Sequence, residues 1–136
     1  MASDIPPMKA AMSDGDGDSI EEQIQAHYRK FQQEPGNPKH ALAIATLYEK
    51  RKEYANAVPW FQHAFDVSGR VDSSLERRIL DLSIQAGKDE ITDLQAAVDA
   101  EKTLAGKVDY QKAMDKKLDE LNRLLKVRKQ RRFGVD

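Results

Sequence analysis

The 136 residues carry 22 Lys and Arg against 23 Asp and Glu, a net charge of −1, with 33% of residues charged and no Cys. That length holds one ordinary domain and excludes a multidomain enzyme. The mean hydropathy of −0.72, with no run near the ~18 apolar residues that a spanning helix needs, excludes a membrane-embedded chain, and without Cys there is neither a disulfide framework nor a thiolate metal site.

In chain order, residues 1–18 hold Pro6, Pro7 and the alternation Asp14-Gly15-Asp16-Gly17-Asp18, which reads as a flexible acidic leader. It lacks the basic-then-apolar pattern of a secretory signal, so the expected compartment is the cytoplasm. Ser19-Ile20-Glu21-Glu22 has capping-box spacing, the hydroxyl and the carboxylate three residues on satisfying free backbone N–H groups reciprocally. The helix it predicts carries Ile20, Ile24, Tyr28 and Phe31 on one side and stops at Pro35-Gly36.

Asn37-Pro38 predicts the next start, since Asn caps well and proline at the first helical position gives up only an N–H that is unpaired there. Ala41, Ile44, Ala45 and Tyr48 form its inner stripe. After the polar joint Arg51-Lys52-Glu53, a further helix carries Tyr54, Ala57, Val58, Phe61, Ala64 and Phe65 and ends at Ser68-Gly69. Two helices with so short a joint form an antiparallel hairpin. A second capping box, Ser73-Ser74-Leu75-Glu76, opens a helix with Leu75, Ile79, Leu82 and Ile84 inward, closed by Gly87. From Asp89 the pattern predicts one long helix that bends or divides near Gly106, because the stripe Ile91, Leu94, Val98 loses its phase around Glu101 before Met114, Leu118, Leu121 and Leu125 resume. No strand pattern occurs, so the fold class is all-α.

In the stretch from Ala41 to Phe65, large and small residues alternate where two helices must approach closely. It resembles a tetratricopeptide repeat. The pattern W-x2-L-G-x2-Y, A-x3-F and a closing Pro falls on Ala41, Ile44, Ala45, Tyr48, Ala57, Phe61 and Gly69. Tyr48, Ala57 and Phe61 match outright, whereas Ala41 and Gly69 depart from the pattern. The match covers residues 38–69, with degenerate flanking repeats before and after. The resemblance implies antiparallel helical hairpins of α-solenoid type over 19–105; the charge and apolar spacing of residues 106–136 predict a basic amphipathic helix after them. It also implies a non-catalytic scaffold that binds a protein or peptide along a concave groove, whose exposed candidates are Lys39, Leu42, Thr46, Glu49 and Lys50. These lack the Asn residues of the family's carboxylate clamp, and a merely solvated face is the competing reading.

Three other patterns bear on chemistry. Asp14-x-Asp16-x-Asp18 copies the start of a calcium loop, but Ser19 and Gln25 stand where its Gly and bidentate Glu belong. His27, His40 and His63 fall in separate segments with no metal-ligand spacing, and a His63–Asp66 pair lacks a nucleophile; no catalytic residue, metal or cofactor is therefore expected. Residues 112–136 hold nine Lys or Arg against four acids. Their helix could pack on the array, self-associate as a short coiled coil, or lead into further repeats; alternatively Arg123, Lys126, Arg128, Lys129, Arg131 and Arg132 could meet phosphates of nucleic acid or anionic lipid. Phosphate contact ranks last, because only Phe133 lies near to stack on a base.

Overall fold

The structure, a computed structural model, describes residues 15–133, and among them every regular element is helical. There are five: α1 (Gly15–Gln33), α2 (Pro38–Lys50), α3 (Tyr54–Val67), α4 (Ser73–Ala100) and α5 (Leu104–Phe133). The chain divides into two compact units, one up to Leu82 and one from Ser83 on, so α4 contributes its first turns to one and the remainder to the other.

In the first unit α2 packs against both α1 and α3. Asn37 caps α2 as its sequence predicts, its side chain accepting from the Lys39 N–H at 3.0 Å. The inner stripe is buried throughout: Ala41, Ile44, Ala45 and Tyr48 of α2 meet a core that includes Ala57, Phe61 and Ala64 of α3. Small residues at those positions let the helix axes approach closely. Trp60 is fully buried, with Tyr28 and Phe31 of α1 edge-on to its ring at 6.0 and 5.0 Å between centroids. Leu75 and Leu82 bring α4 into the same core.

Both ends of the hairpin close through paired reverse-turn hydrogen bonds. After α3, Gly69 takes φ +93°, and the Arg70 N–H reaches the Phe65 carbonyl at 2.9 Å. After α2 the same wrap brings the Glu53 N–H to the Tyr48 carbonyl at 3.0 Å, but Lys52, not glycine, holds the left-handed position at φ 62°. One charge is buried here. Glu21 of α1 is 2% exposed and accepts from Arg51 Nη1 at 2.9 Å, while Arg51 Nη2 lies 2.7 Å from Glu53. The paired carboxylates hold the Arg51 guanidinium above its ordinary pKa, the Glu21 hydrogen bond contributing most.

Three expected boundaries shift. α1 runs back to Gly15, so Ser19 lies inside the helix, where its hydroxyl accepts from Gln23 and does not cap; residues 1–14 of the expected leader lie outside the described residues. At α4 the cap is Asp72, one residue before the expected Ser73, and its carboxylate accepts from the Ser74 and Leu75 N–H groups, both at 3.1 Å. Those bonds, the Leu75 N–H foremost, depress the Asp72 pKa.

The third shift shapes the second unit. α4 does not stop at Gly87 but continues to Ala100, because Leu80, Ile84, Gly87, Ile91, Leu94 and Val98 keep an unbroken 4-3-4-3-4 spacing. Gly87 is buried, and a methyl group there would sit 3.6 Å from Leu121. The division falls at residues 101–103. Glu101 accepts from the Lys102 and Thr103 N–H groups at 3.0 and 3.1 Å, and the Thr103 hydroxyl accepts from the Gly106 N–H at 3.0 Å, capping α5. Gly106 is the close-approach position, since a Cβ there would lie 2.5 Å from the Glu101 carboxyl carbon. α5 returns antiparallel along α4, with Lys107 Nζ donating to the Val98 carbonyl at 2.9 Å and Lys117 Nζ 3.2 Å from Glu90.

Candidate binding groove

α2 turns Leu42, Thr46 and Glu49 away from its buried stripe, and the first turns of α4 stand opposite. Between them lies an open depression of about 760 Å³. Its floor is apolar, formed by Leu42, Phe61, Leu75 and Leu82, and its rim is polar, formed by Thr46, Glu49, Asp72, Ser74, Arg77, Arg78 and Asp81. Arg78 is held on two sides. Its Nε donates to Glu49 at 3.2 Å, its Nη2 contacts the same carboxylate oxygen, and its guanidinium carbon stands 5.1 Å from the centre of the Phe61 ring. Asp72 is engaged in capping α4.

A second, shallower depression of about 400 Å³ lies on the other side of α2, lined by Gln23 and His27 of α1 with Lys39, Leu42, Ala43, Thr46 and Leu47. Leu42 and Thr46 line both, so the outer face of α2 forms a continuous strip flanked by two hollows. Thr46 turns its hydroxyl back onto the Leu42 carbonyl at 2.8 Å and leaves its methyl on the surface. The His27 Nδ1 is buried and makes no hydrogen bond within the chain. Burial lowers the His27 pKa, and the charges of Lys30 and His40 lower it further.

Of the five groove residues read from the sequence, Leu42 and Thr46 line both hollows, Glu49 lines the larger and Lys39 the smaller, while Lys50 lines neither. The opposing wall of Arg77, Arg78 and Asp81 escaped sequence reasoning, because it comes from a helix some thirty residues away along the chain. The basic set is spread around α5: Arg123, Lys126, Lys129, Arg131 and Arg132 are exposed, and Arg128 is half-buried.

The histidines serve structure. His63 Nε2 pairs with the Pro35 carbonyl at 2.8 Å and its ring meets Phe31 edge-on, while Asp66 binds Arg70 at 2.8 Å and Gln62 at 3.0 Å, so they form no dyad. His40 lies 2.7 Å from Glu34. Among the described residues no three His, Asp or Glu side chains cluster as metal ligands, and no helix is long and apolar enough to cross a membrane. Of the acidic run, Asp14 lies outside the described residues, and Asp16 and Asp18 fall in the first turn of α1. No protein-family model matches the chain, and neither does any curated protein or solved structure.

Proposed function

We propose that the chain is a non-catalytic, cytoplasmic scaffold of tetratricopeptide type, which holds an extended peptide of a partner protein along the outer face of α2. The observation that carries this reading is the continuity of the strip: Leu42 and Thr46 join two hollows, with an apolar floor and a polar rim, on one rigid helix. Such a surface fits a chain whose alternate side chains enter apolar recesses while its backbone meets polar groups. The charged rim residues Arg78, Glu49 and Asp72 already serve the fold, which favours recognition over chemistry.

The test is a photo-crosslinking amino acid placed at Thr46 in the full chain, compared with the same group at Ala55, an exposed position on α3. The expected result is a discrete adduct from Thr46 alone, lost when Leu42→Asp is added. Equal crosslinking from both positions, or from neither, would refute the groove. Capture that depends instead on Arg123 and Lys126 and collapses as salt rises would transfer binding to phosphate contacts on α5.

A further inference from the structure

We infer that the second unit self-associates, two copies of the α4–α5 hairpin pairing antiparallel into a four-helix bundle. The inference concerns a different surface from the α2 groove and does not rest on that reading.

The hairpin alone leaves its apolar residues unfinished. Within this unit Ile84, Gly87, Met114 and Leu121 are buried, but Ile91, Leu94 and Val98 remain half-exposed although they stand on the same seam. Leu118, Tyr110 and Val108 are 37%, 39% and 41% exposed. Leu104, Gln111, Leu118 and Leu125 recur every seventh residue and so lie along one line of α5. Lys117, one position away, turns to the opposite flank and meets Glu90 and Glu120 at 3.2 and 3.1 Å. The flank bearing Leu118 presents apolar side chains, Val108, Tyr110 and Leu118 itself, to solvent. Two helices cannot enclose a core by themselves, whereas four can.

Charge selects the occupant and its direction. The distal part of the hairpin, residues 89–116, holds seven acidic against four basic residues; the basal part, 83–88 with 117–132, holds eight basic against two acidic. A parallel pair would set basal part on basal part and oppose like charges along its length. An antiparallel pair sets each acidic tip against the other copy's basic base, where Arg123, Lys126, Lys129 and Arg132 are exposed. The second copy thus supplies the complementary charge at both ends, as an isologous two-fold interface requires. The two-fold axis passes near Leu118, the midpoint of α5.

The chain has no Cys, so single introduced thiols report neighbours without interference. Sedimentation of the full chain in low salt should give twice 15.4 kDa, with the dimer weakening roughly tenfold or more when salt rises to about 0.5 M. Leu118→Asp should give a monomer with unchanged helical circular dichroism. Under mild oxidation Leu118→Cys should crosslink to itself. Gln111→Cys and Leu125→Cys should crosslink when mixed but not singly, because they lie seven residues either side of Leu118. A monomer at every concentration, a dimer that survives Leu118→Asp, a dimer indifferent to salt, or self-crosslinking at both outer positions would each overturn the inference.

Discussion

Removing Arg51 should unfold the first unit far more readily than removing the whole ion pair. The Glu21 carboxylate is 2% exposed, and the guanidinium 2.9 Å away is the cation that compensates it. In Arg51→Met the aliphatic stem persists but the charge is gone, leaving a buried carboxylate at a cost of about 3–5 kcal/mol. Against the 5–15 kcal/mol typical of a whole domain, roughly, that is a large fraction. Replacing both groups, as in Glu21→Leu with Arg51→Met, removes the two desolvation penalties together and should return stability to within about 1 kcal/mol of the parent or above it. Trp60, the single tryptophan and fully buried in this unit, provides the probe through its fluorescence in urea. With a denaturant slope of about 1–3 kcal/mol per molar, the single variant should lower the midpoint by roughly 1–5 M and the double variant by little. An unchanged midpoint in Arg51→Met would mean that Glu21 reaches water and the pair is a surface contact. A double variant as unstable as the single one would mean that the pair stabilises by more than it costs to bury.

Ala57→Leu should overpack the α2–α3 interface, where Ala57 is fully buried, and cost about 1–3 kcal/mol in the same titration. Lys52→Gly should raise stability by about 0.5–1 kcal/mol, since glycine accepts the φ of 62° that a side chain opposes; an unchanged midpoint would show that the turn carries no strain. The two helical glycines of the second unit should respond oppositely in thermal melts followed by circular dichroism. Gly87→Ala gains up to about 1 kcal/mol because the new methyl meets only ordinary contact with Leu121, whereas Gly106→Ala forfeits that gain by displacing the Glu101 cap. The depressed His27 pKa makes the unfolded state bind more protons as pH falls below the ordinary value of 6.5, so stability should fall from there downward. His27→Gln should flatten that first decline, while the loss below about pH 4, where the depressed carboxylates Asp72 and Glu101 protonate, should persist.

The hairpin of α2 and α3 was readable almost to the residue because every signal there is local. Asn37-Pro38 caps, the 51–53 joint turns, and Gly69 supplies positive φ. The second unit was harder, and for stated physical reasons. Gly87 resembles a stop, yet one helical glycine costs only about 1 kcal/mol, and a seam continuing for three more apolar positions outweighs it. The loss of phase around Glu101 marks the division, which falls at Glu101–Thr103 and not at Gly106; what periodicity does not register is how it closes, by a carboxylate and a hydroxyl capping in sequence with neither Gly nor Pro. Of the α5 stripe Met114, Leu118, Leu121 and Leu125, Met114 and Leu121 are buried while Leu118 is exposed on one flank of the seam, and Lys117 stands on the other flank with its ammonium at Glu90 and Glu120. Apolar spacing alone does not separate the seam from its flanks, because the stem of a lysine packs beside the seam as a leucine does.

The same division between local and distant information governs the groove. Leu42, Thr46 and Glu49 follow from α2 by elimination, being the positions its buried stripe leaves outside, whereas Arg77, Arg78 and Asp81 become neighbours only once α4 joins the core through Leu75 and Leu82. The wall that sequence could not place is also the one whose charges divide by role. Arg78 is bound between Glu49 and Phe61, so changing it alters the fold of the rim as well as its charge. Thr46 hydrogen-bonds only within its own helix and is exposed, so its replacement removes surface without loosening the core. A variant at Thr46 therefore separates recognition from stability, and one at Arg78 confounds them: loss of a partner on Thr46→Arg with an unaltered urea midpoint is direct evidence about the groove, while the same loss on Arg78→Ala says nothing until its stability has been measured.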